Sequence, residues 1–231
     1  IDYSNNVVAA LVATAYRKGF NDMNANKEWL VASPQSEDQS AYYWTAPFAF
    51  IDHTTTSYYA TYINADFVSK FSNTDVRNLF VASSTITNPA DFRRYTTRKF
   101  KFNFGSDVPL IRTAEMILID AEALARTPGK EAEAHDLLYA LQKNRDVNAV
   151  KSTNTGAALI DEILLERRKE LYAENGVEWF HAKRLRKGIT RSGNHRIFKN
   201  LSADDKRFFL KVPQSEIDAN ESIDDTVNKD R

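Results

Sequence analysis

Apolar residues recur at helical spacing through the second half of the chain. The first predicted helix covers residues 109–126 and begins at Pro109, a residue well suited to a first helical turn. Its apolar positions repeat every three or four residues: Leu110, Ala114, Ile117, Ala121 and Leu124. Similar patterns predict helices over residues 130–147, 157–173 and 178–186, with short polar connections between them. Short connections make neighbouring helices antiparallel, so we predict two consecutive helical hairpins, the arrangement of a short tetratricopeptide-like repeat array.

The first hundred residues give weaker and more mixed signals. Residues 6–18 and 58–71 favour helices, and residues 28–32 favour a strand or a buried loop. Residues 99–104 alternate with a period of two, which is typical of a short strand or extended edge. We expect a mainly α fold forming one unit over residues 1–231. In it, a loop-rich, aromatic-rich lobe (1–104) precedes the helical hairpins and a C-terminal tail (105–231).

Composition and charge exclude several classes of protein. The 231 residues carry 31 basic and 31 acidic side chains, and this balance argues against a nucleic-acid-binding protein. The absence of Cys excludes a disulfide framework, a thiolate metal site and a cysteine nucleophile. No apolar run approaches the roughly 20 residues that a membrane-spanning helix needs. The chain starts at Ile1 without a Met, and we expect it to be a fragment of a longer protein.

The predicted helices carry a set of charged residues that allows two interpretations. The set is Glu115, Glu122, Glu166, Arg167, Arg168 and Glu170. A pair of these carboxylates could serve a glycoside hydrolase as acid and nucleophile. We favour a partly buried ion-pair network that fixes the helix register, because buried charges require partners. We therefore expect no catalytic residue in this set.

The histidines do not form a metal-binding pattern. They are His53, His135, His181 and His195, and no two of them have the spacing of a zinc motif. We expect no metal and no cofactor. A basic run over residues 183–191 could contact an anionic surface, but cations near a helix C-terminus are also favoured by the helix dipole.

Four stretches along the chain form a recognisable series: PLIRTAEMILIDAEAL at 109–124, LLERRKEL at 164–171, ENG with the following WF and KR at 174–184, and VPQSEIDAN at 212–220. In this order they resemble the C-terminal part of the SusD/RagB family. Glu28 to Val31 and the step from Asp75 to Arg77 are similar to weaker features of the family. One departure is Glu178 to His181, where the family usually has Arg and Asp at the same spacing; we interpret it as a structural pair of reversed sign.

The resemblance implies a function as well as a fold. Family members are lipid-anchored on the outer face of a Gram-negative outer membrane, where they bind glycans without cleaving them. They form a lid over a SusC-like TonB-dependent transporter and pass it oligosaccharides. The membrane contact would be made only through an N-terminal lipid anchor that lies outside this chain. The alternative left open by the helical hairpins is a scaffold that binds a protein partner.

The aromatic stretch of the first lobe is where we expect the glycan to bind. Sugars stack their C–H faces on aromatic rings, and nearby polar side chains bind the hydroxyl groups. Tyr42, Tyr43 and Trp44 are the best candidates, because three consecutive rings cannot all face one interior. Asp38 and Tyr58 complete the candidate site. The alternative is that most of these rings belong to the core.

Overall fold

The computed structural model describes residues 28–36, 61–100, 107–197 and 199–229. In chain order the elements are β1 (Trp29–Ser33), α1 (Ala65–Val68), β2 (Phe80–Ala82), β3 (Tyr95–Thr97), β4 (Val108–Arg112), α2 (Thr113–Ala125), α3 (Glu131–Gln142), α4 (Gly156–Leu171), α5 (Val177–Leu185) and α6 (Gln214–Ala219). Single 3-10 turns cover Lys206–Phe208 and Asp225–Asn228. The fold is mainly helical, as predicted. The helix predicted over residues 6–18 lies outside the described residues.

The chain divides into two compact units. The first contains residues 1–177 and 193–196, and the second contains residues 178–192 and 197–231. The predicted division into a lobe and a helical region at residue 104 stays a prediction. Within the first unit, strand β1 pairs with strand β4 across that position.

The core of the first unit lies between helices α2, α3 and α4. Helix α2 packs against both of the others, and its Ala114 and Ala121 are fully buried. Small side chains at these positions let the neighbouring helices approach closely. The remaining buried members of this core are Ile117, Leu118, Ala125, Ala134, Leu138, Leu141, Leu159 and Ile163. The predicted packing of helices α2 and α3 as neighbours is therefore confirmed, and the second predicted hairpin, formed by α4 and α5, stays a prediction.

The predicted start of the first long helix at Pro109 is wrong. Pro109 lies in strand β4, where it pairs with Ala32, and Arg112 is still extended with φ −123° and ψ 151°. The backbone N–H of Thr113 donates to the carbonyl of Glu28, so the strand pairing runs up to the first residue of α2. Leu110, assigned to the helix core by its spacing, is 44% exposed. Pairing with β1 thus overrides the helical pattern of these residues.

Within the described residues 61–71, the helix predicted over residues 58–71 is reduced to one turn, α1. Ile63 is extended and bridges to Tyr95, and the side chain of Asn64 caps α1 by accepting from the N–H of Asp66. Phe67 and Phe71 pack edge-to-face with centroids 5.1 Å apart. Ile63 and Tyr172 complete the buried cluster.

The strand predicted over residues 99–104 is not found at its described positions. Strand β3 ends at Thr97, and both Lys99 and Phe100 are buried after it, with 0% and 1% exposure. In a strand, neighbouring side chains point to opposite faces, so only one of these two side chains would have been buried. Residues 101–104 lie outside the described residues.

The second unit has a smaller core of its own. Ala182, Leu201 and Phe208 are buried, and the ring of Trp179 packs on Phe208 with centroids 4.8 Å apart. Gly188 has φ +68°, and a Cβ added there would lie 2.3 Å from the carbonyl oxygen of Leu201. Only glycine therefore permits the close pairing of this turn with Leu201.

Truncating a side chain between the helices should destabilise the first unit. Leu138→Ala removes a side chain with 1% exposure, and we expect it to lower the free energy of unfolding by about 2–5 kcal/mol. Leu165→Ala is the matched control, because Leu165 is 37% exposed on the neighbouring helix and should cost less than about 1 kcal/mol. Urea denaturation followed by circular dichroism measures both values. Equal losses would contradict the core described above.

Candidate functional site

The sequence-predicted glycan-binding residues lie outside the described residues. This applies to Asp38, Tyr42, Tyr43, Trp44 and Tyr58. Their role stays a prediction.

The chain on either side of that segment is held firmly. On one side, the N–H of Gln35 donates to Oδ1 of Asp107 at 2.9 Å, directly after the paired strand β1. On the other, the N–H of Ile63 donates to the carbonyl of Tyr95 at 2.8 Å. Both anchors belong to the first unit. The segment that contains the predicted site therefore starts and ends on ordered backbone.

A buried charge network lies inside the first unit. It joins five cations to five carboxylates: Arg77, Lys99, Arg112, Arg145 and Lys169 with Glu28, Asp75, Glu166, Glu170 and Glu174. All of these residues except Lys169 are buried. Among the described residues the formal charges of the network cancel, and the attraction between opposite charges offsets part of the desolvation cost of burying them.

Glu170 is the centre of the network. Arg145 donates to both of its oxygens at 3.0 Å, from Nε and from Nη2. Nη1 of Arg112 and Nη1 of Arg77 each donate at 2.9 Å. Three guanidinium groups therefore surround one carboxylate whose side chain is 0% exposed. The planar guanidinium of Arg is suited to this two-oxygen geometry, and the ammonium of Lys is not.

The partners of Glu170 come from segments that are far apart in the sequence. Glu166 and Glu170 lie on one face of α4, four residues apart, and Glu174 follows its C-terminal end. Arg112 directly precedes α2, and Arg145 follows α3. The network therefore ties the ends of several elements to a single helix.

Two side branches extend from this centre. In one, Arg112 donates to both oxygens of Glu174 at 2.8 Å, and Nζ of Lys99 donates to Glu174 at 2.5 Å and to the carbonyl of Tyr172 at 3.0 Å. In the other, Asp75 accepts from Nε of Arg77 at 2.9 Å and pairs with Lys169 at 2.9 Å. The first branch ends at Lys99, which pairs with Glu174, and the second ends at Lys169, which pairs with Asp75.

The electrostatics keep the carboxylates ionised. Burial opposes ionisation of Glu170, but Arg145, Arg112 and Arg77 outweigh it and hold its pKa well below the ordinary value. Burial likewise opposes ionisation of Asp75, whose pKa is lowered by the hydrogen bonds and charge of Arg77 and by Lys169. Burial lowers the pKa of Lys99 to about 8, although Glu174 opposes that shift.

This geometry favours the structural interpretation of the charged helix residues. A general acid needs a raised pKa and access to the glycosidic oxygen. Glu166 and Glu170 are buried among cations, and the pKa of Glu170 is lowered instead. These carboxylates therefore act as partners for arginine and do not reach a substrate.

The other members of the predicted set make local contacts. Arg167 pairs with Glu115 at 2.5 Å, which connects α4 to α2, and Arg126 pairs with Glu122 at 2.8 Å within one helix end. Arg168 lies over the ring of Phe67, 4.7 Å from its centroid. The sequence analysis missed Lys99 and Arg145, which lie in turns where no spacing marks them.

The described part of the chain offers few features of other kinds of site. It contains no cluster of three or more His, Asp or Glu that could hold a metal ion. Within the same residues, no helix is long and apolar enough to span a membrane. A cleft of about 550 Å³ in the second unit is lined by Lys211, Val212, Gln214, Asp225, Thr226, Asn228 and Lys229. None of these lining residues is aromatic, so the cleft does not match the predicted stacking site.

The amino-acid sequence and the fold both match proteins of the SusD family. The SusD family model matches residues 15–228. A SusD-like carbohydrate binding protein from Bacteroides vulgatus ATCC 8482 superimposes with a TM-score of 0.77 at 23% identity, over 98% of this chain and 52% of its own. A SusD superfamily protein from Bacteroides thetaiotaomicron VPI-5482 gives 0.74 at 23% identity, over 95% and 52%. One from Bacteroides fragilis gives 0.62 at 20% identity, over 97% and 49%. No curated protein matches the sequence.

These results define a helical-hairpin protein of the SusD type. The chain belongs to the SusD family, and it spans about half the length of the solved relatives. The motifs that carried the resemblance contribute Arg112, Glu166 and Glu170 to the charge network, and the weaker features contribute Glu28, Asp75 and Arg77. The resemblance and the buried network therefore rest largely on the same side chains.

Removing the central charge should destabilise the protein strongly. Glu170→Gln leaves three buried guanidinium groups short of their shared partner, and we expect a loss of about 3–5 kcal/mol in the free energy of unfolding. Glu133→Gln is the matched control, since Glu133 forms an exposed pair with Lys130 and should cost less than about 1 kcal/mol. Chemical denaturation measures both. A loss at Glu170 as small as at Glu133 would show that the network does not hold the fold.

Acid should weaken the fold through the same carboxylates. The pKa values of Glu170 and Asp75 are lowered in the folded state, so the unfolded chain takes up protons first as the pH falls. The stabilisation is present above the ordinary pKa values of 4.5 and 3.8 and is lost as the pH falls further toward the lowered folded values. Thermal unfolding across this range should show a falling midpoint. Asp75→Asn should flatten the fall, and an unchanged profile in this variant would contradict the assignment.

Proposed function

We propose that this chain belongs to a protein that captures oligosaccharides at the bacterial cell surface without cleaving them. The observation that carries the proposal is the match to the SusD family over residues 15–228. It is supported by one solved relative, which is described as a carbohydrate binding protein. The lipid anchor, the outer-membrane location and delivery to a SusC-like TonB-dependent transporter belong to the whole protein and are part of the same proposal.

The mechanism is capture by stacking on a fixed support. Tyr42, Tyr43 and Trp44 supply aromatic faces for the C–H surfaces of sugars, and Asp38 accepts hydrogen bonds from hydroxyl groups. In this proposal Tyr58 provides a further ring for stacking. Each contact is modest, so affinity for a single short oligosaccharide is weak and increases when several sites act together. No bond is made or broken in this mechanism.

A second candidate function is a scaffold for a protein partner. Ile119 on α2 and Leu165 on α4 are 45% and 37% exposed, although both lie on helices whose other faces are buried. Stacked helical repeats form extended surfaces that bind protein partners, and the second candidate function rests on this feature. Binding assays separate this function from glycan capture.

Isothermal titration calorimetry with a panel of soluble neutral and acidic oligosaccharides tests the proposal. Wild-type protein should bind at least one of them, and Trp44→Ala should weaken that binding about tenfold or more, which corresponds to about 1.4 kcal/mol of lost binding free energy. Phe180→Ala is the matched control, because Phe180 is a 63% exposed ring outside the predicted segment. Chromatography of the ligand after incubation should recover it intact.

Three outcomes would contradict the proposal. Hydrolysis products would indicate an enzyme. Equal effects of the two substitutions would remove Trp44 from the site. Binding to a protein partner, with no binding to any glycan, would favour the scaffold.

A further inference from the structure

A group of aromatic and cationic side chains includes Tyr62, which follows the predicted glycan segment in the sequence. Tyr62, four residues after Tyr58, meets the ring of Phe92 edge-on, with centroids 5.6 Å apart and planes at 90°. The guanidinium carbons of Arg93 and Arg196 lie 5.6 Å and 5.5 Å from the Phe92 centroid. We call Tyr62, Phe92, Arg93 and Arg196 the Phe92 patch. The patch belongs to the first unit; Tyr62 is part of the aromatic stretch predicted to bind glycan, whereas Phe92, Arg93 and Arg196 were not predicted.

The two arginines of the patch differ in their partners. Arg93 is held by Asp91, with Nε to Oδ1 at 3.0 Å and Nη2 to Oδ2 at 2.8 Å. This pairing with Arg93 lowers the pKa of Asp91 to about 2, so the carboxylate stays charged. Arg196 is exposed and pairs with no carboxylate of the described residues; its observed contact is the ring of Phe92. Arg196 therefore presents a guanidinium whose donors are open to a ligand.

The position of Arg196 is fixed by its neighbours. Asn194 is 3% exposed, and its Oδ1 accepts from the N–H of Ala65 at 2.7 Å. Its Nδ2 donates to the carbonyl of Asp91 at 2.8 Å, in the turn that carries Phe92. Gly193 has φ +71°, and a Cβ there would lie 2.9 Å from the Asp66 side chain. One buried amide thus connects the Arg196 loop to the Phe92 turn.

We propose that the Phe92 patch is a subsite for an acidic sugar, with Arg196 binding its carboxylate or sulfate group. This inference rests on the proposed function. A guanidinium matches a planar carboxylate or a sulfate with two parallel hydrogen bonds, which an uncharged sugar hydroxyl cannot reproduce. Tyr62 lies four residues after Tyr58 in the sequence, and this is the link between the patch and the predicted glycan segment. Because the loop is already ordered, binding requires little rearrangement.

A single open arginine points to a sugar rather than a polyanion. Nucleic acids are bound by many cations together, and the chain as a whole has no net charge. Arg93 already has a carboxylate partner. The patch therefore recognises one anionic group within a larger ligand.

The test compares neutral and acidic oligosaccharides on the full chain and three variants. The probes are maltohexaose and xylohexaose, which are neutral, oligogalacturonate, which carries carboxylates, and a chondroitin sulfate oligosaccharide, which carries both carboxylates and sulfates. Wild-type protein should bind at least one acidic probe more tightly than the neutral ones. Arg196→Gln should weaken that binding about tenfold or more and leave neutral probes unchanged, because it removes a charged hydrogen-bond pair. Arg196→Lys should recover the binding only in part, since Lys keeps the charge without the paired donors.

Arg98→Gln is the matched control. Arg98 is exposed, and its side chain makes no hydrogen bond, ion pair or ring contact within the described part of the chain. The variant removes the same charge, so its effect on acidic probes should stay below about twofold. Thermal unfolding of both glutamine variants should match the wild type, since both side chains are exposed.

The outcomes separate this inference from the proposed function. Binding of neutral probes alone, or equal effects at Arg196 and Arg98, overturns the acidic subsite and leaves glycan capture standing. Binding of no probe overturns both. Selective loss of the carboxylate probe or of the sulfated probe in Arg196→Gln supports the subsite and identifies its preferred anion.

Discussion

The carboxylate of Glu170, enclosed by the guanidinium groups of Arg77, Arg112 and Arg145, is the interaction on which the first unit depends. A charge buried this deeply is tolerated only when oppositely charged groups reach it with good geometry. Each of these arginines comes from a different part of the chain. Pairing Glu170 with all three guanidinium groups therefore fixes where the segments that carry these arginines lie against α4. A network of this kind adds little net stability relative to an apolar core, but it strongly penalises any arrangement in which one partner is missing.

The helices were predictable because their signal is local. Leu138, Leu141, Leu159 and Ile163 repeat at helical spacing, and all four are buried between helices as predicted. Pro109 shows where local reasoning fails. Its pairing partner Ala32 lies in a strand far earlier in the chain, and spacing within residues 109–112 cannot reveal that contact. Long-range pairing decided the structure of a segment whose own pattern favoured a helix.

The charge network was predictable only in part, for a related reason. Glu166 and Glu170 lie on a recognisable helix, so their spacing indicated a shared face. Arg145 and Lys99 occupy turns, where side-chain direction depends on tertiary contacts and not on period. The family resemblance marked two network residues that periodicity does not mark, since Arg112 and Arg77 lie in stretches that resemble family motifs. Neither helical spacing nor the family resemblance marked Phe92, Arg93 or Arg196. Their association depends on the side-chain amide of Asn194, which connects two distant loops.

The two anchors of the predicted glycan segment have a consequence for how such proteins diversify. The Gln35–Asp107 contact and the Ile63–Tyr95 pairing define fixed attachment points for whatever sequence connects them. Lengthening a connection between fixed points adds only about 0.6 kcal/mol of closure entropy for each doubling. Insertions, deletions and wholesale replacement between residues 36 and 61 are therefore tolerated thermodynamically while the supporting helices keep their packing. The sequence of this segment can therefore change without a new fold having to evolve.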